Sequence, residues 1–358
     1  MKILAYRAVF FLLGLCFVSG TLYAQSDASG TLLVLSKRDH TLSLVHPSDL
    51  RVMARVPVGP DPHEVIASSD GRTAYVSNYG FGAYHTLAVV DLVDHKALPS
   101  IDLGALRGPH GLTFVGGKTW FTAEGAKAMG RYDPATGKID LILGTGQNRT
   151  HMIWVSADER HIVTTNVSSG TVSMIDWEPV PMPGPPPGMR PQVTVAGMRR
   201  PARPGPPGPR MDWNETVVRV GNGSEGFDVS PNGREIWVAN AQDGTISVID
   251  VQAEKVEETI AASVRGANRL KFTPDGRWAL VSSGPELVVL DTGTRKVVRR
   301  IAIGHGSGGV LVQPGGARAF VSCGPDNYVA VIDLHSWKVV GHIDAGGEPD
   351  GLAWAVRR

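Results

Sequence analysis

The sequence predicts an all-β fold, a seven-bladed β-propeller of four-stranded antiparallel blades, and three observations carry that reading. One segment recurs seven times, with a period of roughly 40 residues where nothing is inserted. Each copy holds short alternating or β-branched runs set off by Asn, Asp, Gly and Pro, which is the punctuation of strands rather than helices. The two ends of the chain carry complementary parts of a single copy, so a ring can close.

The repetition is plainest in "TAYVSNYGFGAYHTLAVVDLVDHKALPSIDLG" from Thr73, "EIWVANAQDGTISVIDVQAEKVEETIAA" from Glu235 and "AFVSCGPDNYVAVIDLHSWKVVGHIDAG" from Ala319. Within the fifth copy, "EGFDVS", "EIWVAN", "TISVID" and "VEETIAA" read as four strands joined by the turns "NGR" and "QDG". The last segment, "EPDGLAWAV", matches an innermost strand with nothing after it, and "TLLVLS" near the start matches a second strand lacking a first. Paired, they complete one blade and leave no open edge.

These residues resemble a known family. "YVSN" at Tyr75–Asn78, "WVAN" at Trp237–Asn240, the "VIDV" and "VIDL" runs and the turns "SPNGR", "TPDGR" and "SSDGR" are similar to the YVTN-type seven-bladed propeller repeats, almost end to end. The resemblance implies the fold. It implies little about activity, since the family spans lactonase-like enzymes, propeller domains of metalloenzymes and proteins of no assigned role, and fold does not carry function. Three copies depart from the pattern: the third reads "FTAEGAKAMGRYD", the sixth is shortened to "SSGPELVVLD", and the fourth carries a long insert.

Residues 1–24 have the order of a secretory signal peptide: Lys2 and Arg7, an apolar run from Ala8 to Val18, then "SG" and "TLYAQS". Cleavage is expected after Ala24, with Gly20 as the alternative; Cys16 follows Leu15, which is too bulky for a lipid-attachment site. The expectation is a periplasmic or secreted protein, with residues 25–30 as a linker and 31–358 as the propeller. Removing Lys2 and Arg7 takes the formal charge from +1 to −1, which gives no general pull toward nucleic acid or membranes. No later apolar run reaches the roughly 20 residues needed to span a bilayer. Cys323 alone survives cleavage, so no intramolecular disulfide can form and a monomeric propeller must rest on its packed core.

In a repeat protein, a residue present in every copy is explained by the copy. Asp91, Asp133, Asp176, Asp250, Asp291 and Asp333 end the third strand in six repeats, where Asp bonds its own following backbone in a turn. Asn78, Asn166 and Asn240 end second strands and are read the same way. Tyr75, Trp120, Trp237, Trp278 and Phe320 share one register and are expected between blades.

Histidine is distributed unevenly. Counting back from each turn glycine or its equivalent gives one position per blade at the channel rim: His63, His110, His151, Glu225, Asn268, Gly308 and Asp350. His63, His110, His151 and Glu225 fall on four consecutive blades and make a candidate site for one divalent transition metal ion, with Glu225 as fourth ligand or general base. His40, His85 and His305 are expected on the same face and, with Arg149, Asn268, Arg269 and Asp350, are expected to bind a ligand at the channel rim. Arg149 and Arg269, with Arg107 and Arg265 beside the same loops, could instead hold a carboxylate or phosphate. The competing explanation is that Pro-His-Gly is an architectural turn. Phosphate-binding glycine loops, nucleophile elbows, paired-cysteine motifs and haem attachment sequences are absent from the sequence.

The insert spans 177–213, "WEPVPMPGPPPGMRPQVTVAGMRRPARPGPPGPRMDW", and its prolines predict a disordered, extended loop on the face opposite the histidines. Arg190, Arg199, Arg200, Arg203 and Arg210 make it basic, and Trp177 and Trp213 bracket it. Three functions compete: a module that binds a small molecule, metal ion or periplasmic protein partner at the channel mouth; a metal-dependent hydrolase or oxidoreductase using those histidines; and an interaction scaffold that works through the insert.

Overall fold

The computed structural model describes residues 30–180 and 210–356, so residues 1–29, where the signal peptide is expected, 181–209 and 357–358 lie outside the described residues. Seven sheets of four antiparallel strands form the ring. Blade 1 combines the C-terminal strand Pro349–Val356 with Gly30–Ser36, Thr41–Val45 and Val52–Pro57, which is the closure the two chain ends predict. Gly30 already pairs with Val356, so the strand takes in the last residue assigned to the linker. Blades 2 to 7 then follow in chain order as 62–102, 109–144, 150–219, 224–260, 267–302 and 310–343. Among the described residues, no helix is long and apolar enough to cross a membrane.

Each blade is sandwiched between two others, so its middle strands are buried on both faces and its fourth strand looks out. Second and third strands such as Ile236–Asn240 and Ile246–Ile249 are buried throughout, whereas Lys138–Gly144 alternates between exposed and half-buried. Rings from neighbouring blades meet in these layers: Tyr75 stacks on Phe114 at 6.0 Å, Trp237 meets Phe272 edge-on at 5.6 Å, and Phe320 stacks on Trp354 at 6.2 Å. Trp120 is also fully buried. Trp278 differs from its expected role, being half-buried between Trp337 and the Arg277 guanidinium.

The recurring polar residues are turn and strand-end fixtures. The carboxylates of Asp91, Asp133, Asp250, Asp291 and Asp333 accept backbone N–H groups two or three residues on. Asp176 is the exception, because its strand runs past it and its carboxylate meets His161 instead. Asn166 and Asn240 donate to hydroxyls of the following strand, and Asn78 donates to the carbonyls of Val58 and Pro60.

The strand of the insert is longer than its prolines suggest. Thr171–Val180 and Arg210–Arg219 pair without interruption from Thr171↔Arg219 to Val180↔Arg210, so the expected boundaries of 177 and 213 move to 181 and 209. Proline is sparse in the first residues of the insert, where only Pro179 falls within the ladder. Trp177 and Trp213 face each other across this ribbon with ring centroids 5.2 Å apart.

What positions the site is a β-bulge repeated at the head of the innermost strand. Register slips between Pro62 and Val65, Pro109 and Leu112, Thr150 and Ile153, Ser224 and Phe227, and Ala267 and Leu270, each time leaving two residues out of the ladder. The first of those two is the rim residue. A hydroxyl of the second strand takes up the freed N–H of the other: Glu64 donates to Ser77, Gly111 to Thr122, Met152 to Thr165 and Arg269 to Ser282. Several of these hydroxyls donate onward to the rim carbonyl of the next blade, Thr122 to His151 at 2.6 Å, Thr165 to Glu225 at 2.9 Å, Ser282 to Gly308 at 2.7 Å, and Ser322 to Asp350. Blade backbones must come close for this. A Cβ on Gly111 would lie 2.5 Å from the His151 carbonyl oxygen, so glycine is needed there.

Thr122 is fully buried and serves blades 3 and 4 at once. Thr122→Val should therefore leave two buried backbone groups without partners and lower unfolding free energy by about 1–3 kcal/mol in urea denaturation. A change within about 0.5 kcal/mol, the usual range for inert surface substitutions, would show the bridge to be dispensable.

Candidate metal and ligand site at the channel mouth

All seven rim positions meet in one cavity of about 730 Å³ at the mouth of the channel. His63, His110, His151, Glu225, Asn268, Gly308 and Asp350 line it, together with Arg149 and Arg269. His40, His85 and His305 do not line it, contrary to expectation. Their side chains are held elsewhere: His40 is an exposed turn residue at φ 55°, His85 pairs with Asp102 at 2.8 Å, and His305 is 89% exposed beside Asp326. Arg107 and Arg265 are likewise exposed, the latter donating to the Gln242 carbonyl.

The three rim imidazoles stand in a row, with ring centroids 4.9 Å apart for His63 and His110 and 3.8 Å for His110 and His151. They are chemically unequal. The Lys37 ammonium lies 2.8 Å from His63 Nε2, and because an ammonium only donates, that nitrogen must accept. The other, Nδ1, lies 3.1 Å from Asp350 Oδ2 without a hydrogen bond. His63 thus has one nitrogen engaged by Lys37 and stands beside, not within, the cluster formed by His110, Glu124 and His151.

His110 and His151 are each only 2% exposed. His151 Nδ1 lies 2.5 Å from Glu124 Oε1. Its Nε2 lies 3.1 Å from Glu225 Oε1 but off the line of a hydrogen bond, so this nitrogen and His110 Nδ1 are both buried without a hydrogen-bond partner. Ligating atoms of His110, Glu124 and His151 fall within 4.8 Å of one another. Glu124 joins the two imidazoles from outside the expected rim register, holding His151 Nδ1, while Glu225, the expected fourth ligand or base, lies beside His151 Nε2.

Sequence reasoning missed Glu124 because it lies outside the rim register, in the loop after the second strand of blade 3. Its signal was the departure "FTAEGAK", where a strand-ending Asn is replaced by Ala123 and a carboxylate follows. Tyr79, at the corresponding place in blade 2, donates to Glu124 Oε2 at 2.5 Å. Arg149 Nε lies 3.5 Å from the same oxygen, and its terminal nitrogen lies 3.8 Å from Glu225.

Proton affinities diverge accordingly. Burial, reinforced by the neighbouring positive charges of His151, His63, Arg269 and Arg149, pushes His110 well below the usual imidazole range. Burial acts the same way on His151, but Glu225 and Glu124 outweigh it and raise His151. Burial alone would raise Glu225, yet His151, Arg269 and Arg149 draw its carboxyl down to about 2. Glu124 is lowered too, against its burial, by the His151 hydrogen bond and the Tyr79 hydroxyl.

The arginines do not offer a free anion site. Arg269 of blade 6 crosses the channel to Glu64 of blade 2, forming a buried ion pair, and Arg149 lies between two carboxylates. Asp61, Glu64, Glu124, Glu225 and Asp350 stand against Lys37, Arg149 and Arg269, an excess of carboxylate that narrows where His151, with its raised proton affinity, is protonated.

Removing one partner of the cross-channel pair should cost far more than removing both. Glu64→Gln strands a buried guanidinium and is expected to destabilise the fold by about 3–5 kcal/mol, whereas Glu64→Leu combined with Arg269→Met should recover most of the loss. Equal stability of the single and double variants in urea titrations would contradict a buried, mutually dependent pair.

No protein-family model and no curated protein matches the chain. Solved structures do. A functionally unknown protein from Desulfotomaculum acetoxidans is similar with a TM-score of 0.70 at 14% identity, over 91% of this chain and 99% of that one. A provisionally named 6-phosphogluconolactonase from Bacteroides uniformis gives 0.63 at 13%, over 91% and 99%. Hydrazine synthase of Kuenenia stuttgartiensis gives 0.62 at 14%, over 82% and 89%. At such identities the likeness establishes the fold, and with it the architecture that the YVTN-type resemblance implies: a seven-bladed, ring-closed β-propeller.

Proposed function

We propose that the propeller is a binding protein whose channel mouth holds one divalent transition metal ion on His110, His151 and Glu124, and receives a small ligand above it. The observation that carries this reading is the pair of buried imidazole nitrogens without hydrogen-bond partners beside a buried carboxylate. Burying such groups without compensation is unfavourable, and a cation supplies the missing partner. Two imidazoles and one carboxylate form a donor set suited to zinc, and three protein ligands leave a coordination position for an exogenous group. The balance of cavity charge supports a divalent ion over an anion.

The protein groups around the set have distinct tasks in this reading. Tyr79 fixes one Glu124 oxygen and leaves the other directed to His151. Glu225 stands beside His151 Nε2, the nitrogen left for the ion, and Arg149 covers both carboxylates. Bound metal would polarise an incoming oxygen donor as a Lewis acid. The hydrolytic alternative gains nothing from Glu225, since a carboxylate drawn down to about 2 is ionised but a weak base in the neutral range.

Zinc titration of the purified protein followed by competition with a chelator should give one equivalent bound. His110→Ala, His151→Ala and Glu124→Gln should each weaken binding by at least about tenfold, and His63→Ala by distinctly less. Failure to retain zinc, copper, nickel or iron would overturn the reading. Loss on His63→Ala equal to that on His110→Ala would restore the ligand set expected from sequence.

A further inference from the structure

One wall of the mouth is a continuous series of rings. From the metal-ligating pair, His110 packs at 5.1 Å from the Tyr79 ring, which also meets His63 at 4.8 Å and leads outward to Phe81 at 6.1 Å. Phe81 stands at the lip, lines the cavity and is 89% exposed. Its backbone is left-handed, at φ 51° and ψ 39°, an unfavourable conformation for a bulky side chain. The loop that presents it, Tyr79 to His85, is three residues longer than the four-residue turn Ala241 to Gly244 of blade 5. A large exposed apolar group held in a strained backbone at a cavity lip indicates contact with something that enters the cavity.

Tyr79 and Phe81 form the aromatic part of the cavity lining, which Gly306, Gly308, Gly324 and Pro325 of the blade 7 loops share. Resting on the metal-binding reading, we infer that the ligand is a planar aryl compound with an oxygen-donor head group, its head at His110, Glu124 and His151 and its ring against Tyr79 and Phe81.

Benzohydroxamate and acetohydroxamate share the same chelating head and differ in the ring, so their affinity ratio on the zinc-loaded, full-length protein isolates the aryl contact. By isothermal titration calorimetry, benzohydroxamate should bind about tenfold more tightly. In Phe81→Ala this ratio should fall severalfold, and in Phe81→Tyr it should be kept. An unchanged ratio in Phe81→Ala, with zinc present, overturns the aryl subsite and leaves the metal site standing. Absence of zinc from the same samples, measured by atomic emission, overturns both.

Discussion

The site depends on a constraint at the inner edge of each blade. A two-residue bulge would leave a backbone N–H without a partner in a buried place, and a Ser or Thr of the neighbouring strand accepts it. Where that hydroxyl also donates to the rim carbonyl of the next blade, the same bond that closes the bulge fixes the spacing of the two blades. The rim side chains inherit their positions from this chain of bonds. His110 and His151 face each other at 3.8 Å because Gly111 lets the backbones of blades 3 and 4 approach and Thr122 ties them. Where the hydroxyl is missing, as at Ala239 of blade 5, the repeat retains the bulge without the tie.

That regularity explains what could be read in advance. The rim register was legible because every bulge occupies the same place relative to its turn, so counting from the glycine located seven residues that do line one cavity. Closure by the chain ends was legible because half-blades leave recognisable strand fragments at both termini. Glu124 was not legible by that method: it reaches the imidazoles from a loop that the repeat treats as variable, and no count along the innermost strand finds it. His40, His85 and His305 failed for a geometric reason. Sharing a face of the ring, or even a loop that reaches the cavity, does not aim a side chain into it: Asp102 and Asp326 hold His85 and His305 outside the lining.

Charge separates the readings that composition leaves open. A row of histidines flanked by arginines suggests an anion site in one dimension. In three dimensions the guanidiniums of Arg149 and Arg269 are already engaged by Glu124, Glu225 and Glu64, and the Lys37 ammonium by His63 with Asp61 and Asp350 nearby. Carboxylates therefore exceed cations around the mouth, and two of the imidazoles, His110 and His151, each bury a nitrogen without a hydrogen-bond partner. A cation at the mouth accounts for both facts together.

X-ray absorption at the zinc edge of the zinc-loaded protein tests this most directly, because scattering from imidazole rings is distinguishable from that of carboxylate or water alone. The account predicts a first shell of nitrogen and oxygen at about 2.0–2.1 Å with the outer-shell pattern of two imidazoles. One of the two should vanish in His151→Ala. A spectrum without imidazole scattering, or one in which His151→Ala changes nothing, would contradict it.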